Sequence, residues 1–331
     1  MSTITLTKTK VTAPSNEQYL TAAEDEIKQM NEEAKNKEYK VEIVWRNVIL
    51  LSVFHVLGAI GLYHFIFDVK WATVLWSVAC WVISGLGITA GAHRLWSHKS
   101  YRAKLPLRIA LMIFNCMAFQ LSVLEWSRDH RAHHKWTDSD ADPHNISRGF
   151  FFSHIGWIMV KKHPQVKAKG SQLDMSDLEG DAVLVFQRKY YFPLYIFWCF
   201  IFPTFVAVHF WGESAYLALL TAGSFRYIWT MNATWCVNSF SHMFGWRPYD
   251  KTITPTDNAF TSIIAIGEGG HNYHHTFPQD YRTSELGYQL NITKLFIDAM
   301  YYIGQAYDLK TVNEEVIARQ HARKGKDARS H

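Results

Sequence analysis

Two long apolar runs near the start of the chain form a close pair. Residues 71–92 contain no Asp, Glu, Lys or Arg, and residues 41–67 are interrupted by few strongly polar side chains. A helix needs about 20 apolar residues to cross a bilayer. Because only residues 68–70 separate the two runs, the pattern predicts a helical hairpin through a membrane.

A second pair of apolar runs follows later in the chain. Residues 190–211 carry no Asp, Glu, Lys or Arg, and residues 214–244 contain only Arg226. Paired runs of this length with such short turns are hard to bury inside a soluble protein. The chain is therefore predicted to be an all-α membrane protein with four transmembrane helices in two hairpins, at about residues 44–67, 71–91, 190–211 and 215–240.

Lysine and arginine residues mark one end of each predicted span. They precede the first and third spans and follow the second and fourth, whereas the turns within the hairpins hold only Lys70. By the positive-inside rule, both termini and the long central segment are predicted to be cytosolic. The predicted parts are an N-terminal segment (1–40), a membrane domain (41–316) with a helical cytosolic cap (92–189 and 245–316), and a basic tail (317–331).

Three polar or short apolar segments lie outside the predicted spans. Residues 1–16 are rich in Thr and Lys and are expected to be disordered, whereas the charged, proline-free residues 17–40 are expected to be helical. Residues 111–124 are apolar but too short to span a bilayer. They are expected to form a helix at the membrane interface or packed on the core.

The composition narrows the class of protein further. The net charge is +5, and the basic residues lie mostly beside apolar runs, which favours lipid headgroups over nucleic acid as partners. The four cysteines lie far apart in apolar stretches, so they are predicted to be buried apolar side chains rather than disulfides or metal ligands. No GxSxG, P-loop or dinucleotide motif is present, so NAD(P)H is not expected to bind this chain itself.

Histidine is unusually frequent, with 17 residues, and eight of them fall in three short clusters. The clusters are HRLWSH at 93–98, HRAHH at 130–134 and HNYHH at 271–275. On a helix, the HxxHH pattern can direct three imidazoles towards a common point. A single zinc ion takes three or four protein ligands, so eight clustered histidines indicate two metal ions. These eight candidate ligands are His93, His98, His130, His133, His134, His271, His274 and His275.

The remaining histidines carry a weaker signal. An isolated histidine is usually an ordinary buried or solvated side chain, and this interpretation is preferred for His55, His64, His154, His163, His209, His321 and His331. His144 is left open, because it lies in an Asp-rich loop close to the second cluster.

The three clusters, within the longer segments HRAHHKWTDSDADPHN and GEGGHNYHHTFPQDYR, resemble those of the membrane acyl-CoA desaturases. The resemblance is strongest to the delta-9, or stearoyl-CoA, branch and covers about residues 41–316. It implies His242 as a ninth metal ligand, and Asn238 as a residue that reaches the metal through water.

The resemblance also implies a substrate site. A kinked tunnel would hold the acyl chain at the metals and close near Trp81 and Gly85. Gln120, Trp126 and Thr234 would lie at its bend, and the coenzyme A part would meet Asn47, Arg128, Asp129, Lys161 and Lys162. Trp235 is implied as a further substrate contact. Cations and amides at a cytosolic face suit a phosphorylated nucleotide. For Lys161 and Lys162, the alternative of ordinary interfacial lysines is nearly as well supported.

The chemistry implied by the resemblance is oxidative. Breaking an unactivated C–H bond needs an oxidant that no amino acid provides. The family resemblance implies two Fe2+ ions, dioxygen as co-substrate, and a cis double bond placed between carbons nine and ten of palmitoyl-CoA or stearoyl-CoA. Electrons would come from NADH through cytochrome b5 and its reductase, at the endoplasmic reticulum membrane.

Two alternatives are considered. A membrane hydroxylase of the same histidine-rich class would share the irons but add oxygen to the chain. A membrane metal-binding or transport protein would be expected to place its histidines within the spans. Here the clusters lie outside them.

The position of Trp81 generates a prediction about chain length. A tyrosine is usual in that family at this closed end of the tunnel, and the larger indole should shorten it. We therefore expect a preference shifted towards palmitoyl-CoA over stearoyl-CoA. Product ratios measured on both substrates test this, and a clear preference for stearoyl-CoA would contradict it.

Overall fold

The computed structural model describes residues 24–35, 39–285 and 291–325, and these are mostly helical. The α-helices are α1 Glu24–Lys35, α2 Trp45–Phe67, α3 Trp71–Leu86, α4 Leu105–Ala118, α5 Val123–Lys135, α6 Trp157–Met159, α7 Pro164–Gly170, α8 Ser176–Glu179, α9 Ala182–Lys189, α10 Tyr191–Ile196, α11 Phe202–Trp211, α12 Ala215–Ala218, α13 Arg226–Met243, α14 Ala259–Ile264, α15 His271–Thr276, α16 Ile292–Tyr302 and α17 Glu314–Lys324. Segments of π-helix occupy Gly87–Ser97, Phe152–Gly156, Phe197–Ile201 and Leu219–Phe225, and a 3-10 turn occupies Ile146–Arg148. Two short antiparallel strands, β1 Arg102–Ala103 and β2 Ala306–Tyr307, pair with each other.

Three of the described helices are long and apolar enough to cross a membrane. They are Trp45–Phe67, Trp71–Ser97 and Tyr191–Trp211. Their outward faces expose large apolar side chains such as Ile49, Leu75 and Phe205. Side chains of this kind are stable on an outer surface when lipid surrounds them. These helices agree with three of the four predicted spans.

The fourth predicted span forms a continuous helical run over residues 215–243. This run is not among the three apolar candidates, and its second half carries polar side chains such as Arg226, Asn232 and Asn238. Much of α13 is buried against its neighbours. The run is thus an inner helix, which can carry polar groups because protein surrounds it.

The turns of the two predicted hairpins lie against each other. The buried carboxylate of Glu213 accepts hydrogen bonds from the Lys70 backbone N–H at 2.9 Å and the Thr73 hydroxyl at 2.6 Å. In return, the Lys70 ammonium donates to the backbone carbonyls of Trp211 and Gly212 at 2.8 and 2.7 Å. These bonds fix the ends of two helix pairs to one another.

A sharp elbow joins α4 to α5 at an angle of 82°. Helix α4 begins earlier than the predicted 111–124 segment and ends at Ala118, because Phe119 adopts a left-handed conformation. The Tyr195 hydroxyl donates to the Leu121 carbonyl at 2.5 Å, and the Gln187 side-chain oxygen accepts from the Val123 N–H at 2.9 Å. The elbow is therefore held by side chains from other elements, and it sets the direction of α5.

Each terminal segment contains a described helix. Helix α1 lies within the stretch expected to be helical, whereas residues 1–16 lie outside the described residues. Helix α17 contains residues 317–324 of the predicted tail, and its Ile317 packs in a cluster with Tyr249 and Tyr273. All four cysteines are buried, as predicted.

Arg226 connects three elements from a buried position. Its guanidinium donates to the carbonyls of Ala222 at 3.1 Å, Met117 at 2.6 Å and Cys199 at 2.5 Å. Met117 belongs to the last turn of α4, where carbonyls lack partners within the helix. Arg226 therefore ties the inner helix to the elbow and to the π-helical segment of the third apolar helix.

The geometry of Arg226 predicts a loss of stability in the Arg226→Lys variant. A single ammonium cannot reproduce the planar fork of the guanidinium, so at least one buried carbonyl loses its partner. We expect the free energy of unfolding to fall by about 1–3 kcal/mol, seen as a lower thermal unfolding temperature in detergent. The exposed Arg188→Lys variant is the control, and equal unfolding temperatures for the two variants would contradict the expectation.

Candidate metal centre

Four elements deliver the clustered histidines to one buried region. His93 lies in the π-helical Gly87–Ser97 that continues α3, and His98 caps its end. Helix α5 carries the second cluster, α15 the third, and the last turn of α13 carries His242. All nine histidines are largely withdrawn from solvent, and they separate into two groups.

The first group contains His93, His98, His130, His134 and His274, whose ligand atoms lie within 4.8 Å of one another. The Nε2 atoms of His93 and His274 are 2.8 Å apart, and those of His98 and His130 are 2.7 Å apart. The Nε2 atoms of His274 and His134 are separated by 2.9 Å. Five imidazoles thus face a common point.

The second group contains His133, His242, His271 and His275, with the same 4.8 Å limit between ligand atoms. The Nε2 atom of His271 lies 3.0 Å from that of His242 and 3.1 Å from that of His275. Each HxxHH cluster is therefore divided between the two groups. The expectation that each pattern directs three imidazoles to one point is wrong, because adjacent residues on a helix point in different directions.

The nitrogen positions fit metal binding. Two nitrogens bound at neighbouring positions of one ion, each about 2.1 Å from it, would lie about 3 Å apart. The observed separations of 2.7–3.1 Å agree with this spacing. The Nε2 atom of His133 is buried without a hydrogen-bond partner among the described residues. Burial and then the neighbouring rings keep the pKa of His274 and His275 well below the usual value, so these rings are neutral and able to bind a cation.

Two carboxylates hold the outer nitrogens of the rings. The Glu268 carboxylate lies 2.8 Å from Nδ1 of His93 and also accepts from Arg94 at 2.8 Å, while both Asp142 oxygens lie 2.9 Å from Nδ1 of His133. Burial alone would raise the pKa of Glu268, but Arg94 and His93 outweigh it and lower that pKa to about 2. A charged acceptor at Nδ1 keeps the proton there and leaves the Nε2 lone pair for a metal.

These carboxylates were not among the sequence-predicted site residues. The signal available for them was position, since Asp142 lies in the Asp-rich loop after the second cluster and Glu268 lies in the GEGG segment before the third. His144, whose role the sequence leaves undecided, packs its ring against that of Trp157 at 4.4 Å. Its Nδ1 atom lies 4.0 Å from the Asp142 carboxylate. Together with His133 and Asp142 it forms a third group that could hold a metal.

A cavity lies beside both histidine groups. Its walls include histidines from both groups and several of the predicted tunnel residues. These lining residues include His93, His130, His133, His271, Trp81, Gly85, Trp126, Thr234 and Asn238. Gln120 donates to the Thr234 hydroxyl at 3.1 Å. The structure therefore brings most of the predicted acyl contacts to one space that reaches the candidate ligands.

Trp235 lies elsewhere. It is buried on another side of α13, with its ring 6.3 Å from that of His55 and 5.8 Å from that of His154, and it does not line the cavity. The structure thus separates Trp235 from the predicted substrate contacts that line the cavity, because neighbouring positions on a helix face different sides.

The predicted coenzyme A contacts gather where residues 158–162 meet the start of α2. Asn47 donates to the Ile158 carbonyl at 2.8 Å, and Lys161 pairs with Glu42 at 2.6 Å. Lys162 forms a close ion pair with Asp129, whose other oxygen lies 3.8 Å from Arg128. Lys161, Lys162 and Arg128 remain partly or largely exposed, so this is a polar surface carrying three cations.

The isolated histidines make ordinary contacts. His64 pairs with Asp68 at 2.6 Å, His154 bonds to Asn232 and Ser239, and His163 caps α7. Neither candidate group includes His55, His64, His154, His163, His209 or His321. His331 lies outside the described residues.

Sequence comparison gives the same class of protein. A model of the fatty acid desaturase family matches residues 69–292. The chain is 59% identical over 310 residues to the Delta(9)-fatty-acid desaturase fat-6 of Caenorhabditis elegans, covering 94% of this chain and 91% of that protein. It is 54% identical over 286 residues to the stearoyl-CoA desaturase of Homo sapiens, covering 86% and 79%.

The chain belongs to the fatty acid desaturase family. Family membership and the two histidine groups together indicate a metal-binding site for two ions.

The contact between Asp142 and His133 predicts weaker metal binding in the Asp142→Asn variant. A neutral amide holds the His133 proton less firmly, and loss of such an outer contact typically lowers metal affinity by about 10–100-fold. Competition with a chelator measures the affinity. Asp140→Asn is the matched control from the same loop, because Asp140 faces His163 at 3.7 Å instead. Equal affinities for both variants would show that Asp142 does not act on the metal site.

Proposed function

We propose that this chain is an acyl-CoA delta-9 desaturase that inserts a cis double bond between carbons nine and ten of palmitoyl-CoA or stearoyl-CoA. The observation that carries the proposal is the cavity, which touches both histidine groups and extends along α3 to Trp81. Two of the relatives are named for delta-9 and stearoyl-CoA desaturation. An apolar space beside a di-metal site suits the oxidation of a hydrocarbon chain.

Nine histidines would hold two Fe2+ ions, with Asn238 acting through water. When bound, the iron pair and dioxygen supply the oxidising power that removes two hydrogens from the acyl chain. Forming the double bond releases two electrons, whereas reducing dioxygen to two waters takes four. Two electrons must therefore enter from outside, and we assign them to NADH through cytochrome b5 and its reductase.

The residues of this chain position the substrate. Trp126 stacks on the ring of His130 at 4.8 Å and lines the cavity, so it can hold the acyl chain beside the first histidine group. The hydrogen bond between Gln120 and Thr234 lies at the proposed bend. The distance from the thioester to this bend would fix which carbons meet the metals.

The coenzyme A part would bind at the outer polar surface. Asn47, Arg128, Asp129, Lys161 and Lys162 lie together there, and Trp235 is kept as a candidate contact on the nearby part of α13. Arginine and lysine side chains suit the phosphates of the nucleotide. The existing pair between Lys162 and Asp129 would open or rearrange when an anion binds.

The proposed arrangement in the membrane is four spans in two hairpins, with both termini in the cytosol and the cap formed by 92–189 and 245–316. The contacts between Lys70 and Glu213 support it, because they hold the two turns at one end of the helices. His93 and His242 lie at the opposite ends of their helices. The segments 1–40 and 317–331 flank the domain at 41–316, and we assign the protein to the endoplasmic reticulum membrane.

Expression in cells that lack their own desaturase tests the function. The chain should produce monoenes with the double bond at carbon nine, whereas His133→Ala should abolish them, because it removes a buried ring of the second group. His209→Ala is the matched control, since His209 is exposed and belongs to neither group. Mass analysis separates the alternatives: a product heavier by one oxygen would indicate a hydroxylase, and an unchanged lipid profile would reject the proposal.

A further inference from the structure

The end of α14 and the short loop after it form part of the cavity wall, and this loop also contacts a candidate metal ligand. Residues Ile264, Ala265, Ile266 and Glu268 all line the cavity. The Glu268 carboxylate lies 2.8 Å from Nδ1 of His93 in the first histidine group. Only Gly267 separates the apolar wall residue Ile266 from this carboxylate.

Ile266 adopts a backbone conformation that is unfavourable for its side chain. Its φ angle is +49°, in the left-handed region that β-branched residues rarely enter. The side chain is almost fully buried. The backbone N–H and hydroxyl of Thr293 both donate to the Ile266 carbonyl, at 3.1 and 2.9 Å, and the Thr293 hydroxyl lies 2.7 Å from that of Thr89. Strained residues held in this way are typical of functional sites.

The Ile266 side chain packs directly on α3. A Cβ atom added at Gly85 would come within 2.8 Å of Ile266 Cδ1, so the isoleucine fills the space that the glycine leaves. An acyl chain that runs along α3 between Trp81 and the histidines must therefore lie against Ile266. The acyl chain would add apolar contacts to the Ile266 side chain and so stabilise its strained backbone conformation.

The backbone between Ile266 and Glu268 is tightly packed and hydrogen-bonded. Gly267 has a φ angle of +116°, and a Cβ atom there would lie 2.6 Å from Asn291 Oδ1. Arg94 donates to the Gly267 carbonyl at 3.3 Å and to Glu268 at 2.8 Å. A shift of Ile266 would thus be passed to the Glu268 carboxylate rather than absorbed between them.

We propose that Ile266 couples occupation of the cavity by an acyl chain to the position of Glu268 on His93. The chain stabilises the strained loop, and the loop in turn holds the His93 ring for the metal. Without a chain, the loop can relax and the contact with His93 weakens. Ile266 is a positioning residue in this scheme, which rests on the proposed function because it takes the cavity as the acyl site.

Reciprocal binding makes the proposal testable without turnover. If an acyl chain favours the metal-binding arrangement, it must tighten metal binding by the same factor by which metal tightens acyl-CoA binding. The full-length protein loaded with Fe2+, without reductant, is titrated with a chelator in the presence of palmitoyl-CoA, octanoyl-CoA or neither. Palmitoyl-CoA should raise the metal affinity about fivefold or more. Octanoyl-CoA should not, because its chain ends before carbons nine and ten.

Substitutions of Ile266 test whether this residue carries the coupling. Each variant is compared at a palmitoyl-CoA concentration that saturates it. Ile266→Ala should then lose most of the response, and Ile266→Val, which is the milder change, should lose part of it. Ile263→Ala is the matched control, because Ile263 is 58% exposed on α14 and does not line the cavity. A response of wild-type size in both variants, Ile266→Val and Ile266→Ala, would overturn the coupling. The absence of any response in the wild-type protein would overturn it as well.

The expression experiment separates this proposal from the function on which it rests. If the wild-type protein produces monoenes but its metal affinity does not respond to palmitoyl-CoA, the proposed function stands and the coupling is rejected. If it produces no monoene, the proposed function is rejected, whatever the chelator titration gives.

Discussion

Nine imidazole rings are buried in two groups with their Nε2 atoms about 3 Å apart, and this crowding constrains the rest of the structure. Nitrogen lone pairs at that distance repel one another unless a proton or a metal ion lies between them. Each ring must also be withdrawn from water, which costs free energy for a polar group without a partner. The arrangement is therefore sensible as a metal site, and the surrounding protein must hold it firmly enough to resist the repulsion.

Contacts outside the two groups hold the histidine rings in place. Glu268 and Asp142 fix the outer nitrogens of one ring in each group, and Glu268 is itself held by Arg94. The elbow between α4 and α5 sets the direction of the helix that carries the second cluster. Arg226 secures that elbow from a neighbouring helix by donating to the Met117 carbonyl. A site made of many weakly held rings thus depends on a small number of buried polar contacts.

The membrane-facing helices and the site meet at the cavity. Helix α3 is apolar along its length and continues without a break into the π-helical segment that carries His93. The same helix can therefore line the cavity from Trp81 onwards and supply the candidate ligand His93 near its end. This continuity explains how an acyl chain bound among apolar side chains could be placed beside metal ions.

Much of this could be predicted from local patterns in the sequence. Three of the spans follow from apolar runs of bilayer length, because helix formation in lipid depends on composition more than on distant contacts. The eight clustered histidines stand out through spacing, whereas His242 was reached only through family resemblance. The division of each HxxHH cluster between two groups follows from the different directions of adjacent histidines on α5 and α15, and from the packing that brings these side chains together. The roles of Glu268 and Asp142, and the departure of Trp235 from the cavity, likewise depend on which side of a helix faces which neighbour. Local sequence determines which segments are helical and apolar, but the packing of those segments decides which side chains meet.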